Sequence, residues 1–205
     1  MKSKPRRVAK AIVSGVFLGL VFPCALACGF GRLEVVFSFF AQALAIVPGM
    51  VGDYARLAYY RMTLRRCGSE WRIGFGSFFA HPQTTVGRFV GIGSYCIIGY
   101  AVIGDGTLIG SGTQILSGGE QHKRDAEGRL TDQGRRFVEI SIGEHCWIGA
   151  ASVVLANLGD KCSVAAGSVV LTPVAPGVLV GGNPAETWRA PKPGAKGAAA
   201  AGHQP

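Results

Sequence analysis

Charge is scarce in this 205-residue chain. Only 12 residues are Asp or Glu, and charged residues of both signs make up 16%, against roughly 25% in an average soluble domain. A chain so poor in charge and 48% hydrophobic excludes pervasive disorder, because disordered chains are polar and highly charged. It also has no CxxC pair and no disulfide framework among Cys24, Cys28, Cys67, Cys96, Cys146 and Cys162. Neither a P-loop nor a dinucleotide fingerprint occurs, which excludes chemistry built on those phosphate cradles. The glycines do not fall at every third position, so a collagen helix is excluded. What is abundant is glycine itself, with 31 residues where average usage gives about 14. Such an excess points to an internal repeat.

The basic residues are unevenly placed. The net charge of +9 invites a nucleic-acid reading, but residues 1–66 hold ten basic residues against only Glu34 and Asp53. The main body, residues 67–185, is nearly neutral, with eight basic and nine acidic residues. Basic charge therefore flanks apolar segments at the start of the chain, a pattern of membrane orientation and not of phosphate binding. Residues 11–31 contain no charge and are long enough to cross a bilayer as a helix. A second uncharged run, residues 35–52, follows at once and breaks at Pro48-Gly49. Basic residues at both ends of the pair predict a hairpin with both ends cytoplasmic. The second run is slightly short and is open to a re-entrant or interfacial reading. A secretory signal peptide, with a cleavage site near Ala25-Leu26-Ala27, is disfavoured by the long first run and the second behind it. Residues 54–66 read as a short amphipathic helix with Tyr59, Tyr60 and basic residues at the membrane surface.

From Ile73 onward an apolar residue recurs every six positions and is usually followed by Gly or another small residue. Ile92-Gly93-Ser94-Tyr95-Cys96, Ile98-Gly99, Ile103-Gly104-Asp105-Gly106-Thr107, Ile109-Gly110-Ser111-Gly112-Thr113 and Ile115 run almost without a break. The pattern resumes at Ile142-Gly143-Glu144-His145-Cys146 and Ile148-Gly149, and continues through Leu158-Gly159 to Val164 and Val170. This period is neither helical nor a plain alternation. It predicts a coil of short parallel strands whose first hexad residue points into a narrow core. Small second residues suit a turn where Gly meets no Cβ penalty. The fifth position, held by Cys96, Thr107, Thr113, Cys146, Ser152, Cys162 and Ser168, is expected to be small and inward, which makes its cysteines structural.

These hexads, with Trp147-Ile148-Gly149, Ala166-Gly167-Ser168-Val169-Val170 and Gly182-Asn183-Pro184-Ala185, resemble the hexapeptide-repeat acyltransferases. The resemblance implies a mainly β fold, a left-handed parallel β-helix, and is closest to O-acetyltransferases acting on sugars and polysaccharides. The head, with Val47-Pro48-Gly49 and Arg61 near tyrosines, looks like a membrane-associated branch of that family. The implied organisation is an N-terminal membrane-associated helical segment (residues 1–66), a β-helix (67–189) interrupted by a loop (118–139), and a disordered tail (190–205). A homotrimer is implied, with sites between neighbouring coils.

The interrupting loop is where function is expected. Acyl transfer from a thioester to a hydroxyl needs a base, and a neutral imidazole serves near pH 7. His122 occupies the place of the family's catalytic histidine, although Gln121-His122-Lys123 departs from the usual Gly-His-Pro or Thr-His-Pro. Asp125, Glu139 and Glu144 are candidates to orient the ring. His81 is the second choice, as a turn residue or acceptor contact, and His145 is expected to face outward. The 41- and 23-residue separations of His81, His122 and His145 do not match the zinc site of similar folds, so no metal is expected. The resemblance puts acetyl-CoA along the last coils at Ala150, Ala166 and Thr172, with Arg189 on its phosphates. Thr172 and Glu186 stand where the family has a lysine and an arginine, and Lys192 or Lys196 would supply the missing charge. Trp147 is read equally as a cover for the thioester or acceptor pocket and as a filler beneath the loop.

The resulting expectation is an acetyl-CoA-dependent O-acetyltransferase at the cytoplasmic face of the inner membrane. Its acceptor would be a sugar or lipid-linked glycan of an envelope or exopolysaccharide, with no nucleic-acid partner. A non-catalytic scaffold of a polysaccharide assembly complex and an N-acyltransferase acting on a nucleotide sugar are the alternatives.

Overall fold

The computed structural model describes residues 4–118, 123–125, 127–131 and 137–189. Three helices, α1 (Lys4–Ala27), α2 (Glu34–Ala45) and α3 (Gly49–Thr63), precede a run of two- to five-residue strands. The strands form a parallel β-helix of about five turns. Its first face holds Arg66–Cys67, Thr85–Val86, Ala101–Ile103 and Ile140–Ile142. Its second face runs from Arg72–Ile73 through Gly91–Ile92, Leu108–Ile109, Trp147–Ile148 and Ser163–Val164 to Leu179–Gly182, and is closed by the antiparallel strand Ala185–Arg189. The third holds Phe78–Phe79, Ile97–Ile98, Gln114–Ile115, Val153–Val154 and Val169–Val170.

The core follows the hexads. Ile92, Ile109, Ile148 and Val164 stack inside the second face, and Phe79, Ile98, Ile115 and Val154 inside the third, all buried. The fifth residues are buried as their size predicts, and they also donate to the backbone of a neighbouring rung. Ser77 Oγ donates to the Gly93 carbonyl at 2.7 Å and Thr107 Oγ1 to Gly143 at 2.8 Å. Cys96 and Cys146 do the same with their Sγ atoms, to Gly110 at 3.2 Å and Gly159 at 3.1 Å. Burial and these bonds keep the thiols structural.

The second-position glycines have a different cause from the one their sequence suggests. Positive φ belongs to the fourth-position glycines, such as Gly76, Gly106 and Gly112, and not to Gly104, Gly110 or Gly143. The second position is small because the next rung lies against it. A Cβ on Gly143 would stand 2.5 Å from the backbone N of Asp160. Gly143→Ala is therefore expected to lose about 1–3 kcal/mol, the usual penalty of overpacking, read as a lower denaturation midpoint. An unchanged midpoint would show that the rungs part freely.

The helices depart from the sequence expectation in two respects. First, α1 stops at Ala27 and the chain turns through Gly29 and Gly31, both at positive φ. Its uncharged part, residues 11–27, is about 25 Å long at 1.5 Å per residue, short of the roughly 30 Å hydrocarbon core, and α2 has only 12 residues. Among the described residues no helix is long and apolar enough to cross a membrane. The three helices pack on each other and on the β-helix. Second, the helix expected over residues 54–66 begins at Gly49 and ends at Thr63, and its tyrosines do not face outward. Tyr59 and Tyr60 are fully buried. Tyr59 donates to the Phe37 carbonyl at 2.9 Å, while Tyr60 packs edge-on to Phe79 and accepts from the Phe79 backbone N–H. Tyr59 thus ties α3 to α2, and Tyr60 ties α3 to the first rungs.

Arg56 on α3 is also completely buried. Its guanidinium donates to the carbonyls of Leu44, Ala45 and Val47 at the end of α2, and to Ile73 on the second face. It closes on Asp53 Oδ1 at 2.6 Å. One cation thus adds donors to a group of carbonyls gathered at a helix end.

Candidate active-site groove

Outward side chains of the second face and one residue of α3 form a groove of about 390 Å³. Asp53 stands at one rim, with Arg72, Ser94, Ser111, Leu108 and Trp147 along it. The floor exists because Gly91 has no side chain: a Cβ there would meet Leu108 Cδ2 at 2.9 Å. Trp147 is 56% exposed, so its indole lines open space in the groove. The Asp53 side chain is 57% exposed, and its orientation is fixed by the buried Arg56. A carboxylate, a guanidinium, two hydroxyls and an apolar ring face together suit a small polyhydroxylated molecule.

A second cluster lies at the corner between the third and first faces. His81 packs its ring 4.4 Å from Phe137, and its Nδ1 lies 3.8 Å from Glu34 Oε1. Glu34 in turn accepts from Gln83 Nε2 at 2.6 Å. The loop leaves and re-enters at this corner, its neck closed by the Val138 N–H donating to the Ser117 carbonyl at 2.9 Å. The Tyr100 hydroxyl binds Glu139, whose carboxylate raises the phenol above its ordinary range, and Arg65 lies 3.8 Å from Glu139.

His122 lies outside the described residues. Of its three proposed orienting partners, Asp125 is engaged by its own turn. It accepts the backbone N–H groups of Glu127 and Arg129 and the Arg129 guanidinium, and these bonds hold its carboxyl below the ordinary range. Glu139 sits at the loop's neck, and Glu144 is on the far side of the first face. Ala150 and Ala166 are brought together on stacked rungs, with the Gly167 N–H donating to the Ala150 carbonyl at 2.8 Å. Arg189 pairs with Leu179 on the second face. Thr172 is exposed beyond the third face, and His145 is exposed as expected. Among the described residues no three His, Cys, Asp or Glu side chains are grouped to hold a metal.

Sequence reasoning missed Asp53, Arg72, Ser94 and Ser111, which come from rungs and a helix far apart in the chain. The nearest signal was Gly91, a missing side chain in an outward slot of the second face.

Residues 139–172 match the model of the hexapeptide repeat of succinyl-transferase. This is a hexapeptide-repeat β-helix. The hexapeptide β-helix is similar to a hexapeptide-repeat-containing acetyltransferase from Vibrio cholerae, solved with acetyl coenzyme A. The two share 26% identity at a TM-score of 0.64, over 77% of this chain and 88% of that one. It also shares its fold with a galactoside acetyltransferase solved with coenzyme A (21% identity, TM-score 0.61, 76% and 81% covered). A maltose O-acetyltransferase from Clostridium difficile has the same fold (19%, 0.57, 76% and 86%). No curated protein sequence matches the chain. Within one hexapeptide β-helix the loop leaves from the corner opposite the groove. A chain by itself therefore does not set its own loop root beside its own groove.

Proposed function

We propose that this acyltransferase is an O-acetyltransferase that moves an acetyl group from acetyl-CoA to a sugar hydroxyl, in envelope or exopolysaccharide biosynthesis at the cytoplasmic face of the inner membrane. The observation that carries the reading is the groove, where an exposed indole, Asp53, Arg72 and two serine hydroxyls converge as a sugar's apolar face and hydroxyls require. The acetyl-CoA-bound relative supports the donor, with Ala150, Ala166 and Thr172 along its arm and Arg189 near its phosphates. The opposed positions of loop and groove support a homotrimer in which the loop of one copy reaches the groove of the next.

In the reaction, neutral His122 takes the proton of the sugar hydroxyl. The oxygen attacks the thioester carbonyl, and backbone N–H donors stabilise the oxyanion. The C–S bond then breaks, and the imidazolium returns its proton to the leaving thiolate. No acyl-enzyme forms, in keeping with Cys96, Cys146 and Cys162, which are buried and hydrogen-bonded to backbone carbonyls of neighbouring rungs.

The test is thiol release from acetyl-CoA with purified protein and envelope glycans. The expected result is acceptor-dependent release and a hydroxylamine-labile acetyl ester. A hydroxylamine-stable amide would assign an N-acyltransferase, and absence of acetyl-CoA binding would assign a scaffold. Trp147→Ala is expected to raise the acceptor KM about tenfold, or 1.4 kcal/mol, and to leave the acetyl-CoA KM unchanged. A rise in the acetyl-CoA KM alone would move the indole to the donor site.

A further inference from the structure

A surface helix ordinarily turns a charged or polar face to water. Here α1 packs Val21 and Ala25 inward, with Cys28 just beyond its end, and turns Ile12, Val16 and Leu20 outward, well exposed, at four-residue spacing. No charged residue occurs from position 11 to 31, so this outward face has no polar side. The surface continues through Phe30 and Leu33 in the turn, then Val35 and Phe39 on α2, all exposed. Met50 and Val51, in the first turn of α3, are 73% and 60% exposed. An apolar surface of this extent marks an interaction site.

Charge selects the occupant. The segment carrying this surface has ten basic and two acidic residues, and Arg32, in the turn between α1 and α2, and Arg61, on α3, are exposed. A second copy of the chain would set two such segments together and repel. An anionic lipid surface accepts both the apolar face and its basic surround.

We infer that the outward faces of α1, α2 and the first turn of α3 lie in the plane of an anionic bilayer, sunk into one leaflet without crossing it. The groove then opens at headgroup level. Val51 and the groove residue Asp53 are two positions apart on α3, about 3 Å along its axis but on opposite sides of it, so the Asp53 rim stands about one helix diameter, roughly 10 Å, above the sunken face. A sugar carried on a membrane lipid reaches the Asp53 rim directly, whereas a free sugar must arrive from solution. This last step rests on the proposed acetyltransferase reading, while the membrane attachment does not.

The test is flotation of the full chain, without substrates, on phosphatidylcholine vesicles with and without phosphatidylglycerol. The expected result is binding that needs phosphatidylglycerol and weakens severalfold as salt rises. Val16→Glu with Leu20→Glu is expected to abolish flotation, and the milder Val16→Ser with Leu20→Ser to weaken it. Both should keep the wild-type far-ultraviolet circular dichroism and acetyl-CoA thiol release with a soluble sugar. Leu26→Trp is expected to be quenched most by lipids brominated near the headgroup end of the chains, relative to the unmodified protein. No flotation, flotation indifferent to the substitutions, deepest quenching at the chain ends, or loss of a wild-type oligomer in the glutamate variant would each overturn the inference. Flotation without thiol release toward any acceptor would leave the attachment standing and remove the enzymatic reading.

Discussion

Arg56→Met is expected to cost about 3–5 kcal/mol, the usual penalty for breaking a buried, hydrogen-bonded ionic network by removing one partner. Methionine fills much of the same space, so the loss comes from the donors. Without the guanidinium, the carbonyls of Leu44, Ala45, Val47 and Ile73 each lose a charged donor, and only Ala45 and Leu44 keep a backbone N–H, from Gly76 and Val47, among the bonds at the end of α2. Asp53 contributes less, because its exposed carboxylate can be hydrated. Against a typical total of about 5–15 kcal/mol, the loss moves the denaturation midpoint strongly. Arg56→Lys restores the charge but not the planar fork of donors, and should recover only part of it. A wild-type midpoint in the methionine variant would show that the helices are held by apolar packing and that the network is incidental.

His122→Ala is expected to lower turnover by about 10²–10⁴, the range of a general base, with acetyl-CoA binding unchanged. The direction with pH follows from the role. A base must be neutral to accept a proton, so kcat/KM falls as pH drops through the histidine range near 6.5. That acidic limb should vanish in the alanine variant. Steady-state rates across pH, beside calorimetric titration of acetyl-CoA, check both statements. Equal rates in the two proteins would remove His122 from the chemistry and turn attention to His81, which already stands at the root of the loop.

The β-helix was legible because its hexads repeat in register. Ile92, Ile98, Ile103 and Ile109 each sit one rung-side apart and are all buried, so the period speaks with many voices. The helical head speaks with one. Arg56 looks like a surface residue beside Arg61, and only the folded arrangement shows four carbonyls converging on it. Tyr59 and Tyr60 resemble a membrane-surface pair because an amphipathic pattern does not say whether its apolar partner is lipid or protein. The groove was illegible for a related reason. Arg72, Ser94, Ser111 and Trp147 are joined by rung stacking and Asp53 by the docking of α3, whereas the candidate histidine lies on a local interruption of the pattern.

The stacked glycines also govern where this chain is free to change. On a wall of the prism one added methyl group meets backbone at 2.5 Å. At a corner the same coil accommodates the whole excursion of residues 118–139, with the Val138 N–H bonded to the Ser117 carbonyl at its neck, since the entropy of a longer loop grows only slowly. The molecule is thus forgiving of length and intolerant of girth. New specificity can be written at its edges by insertion, while its walls keep their spacing.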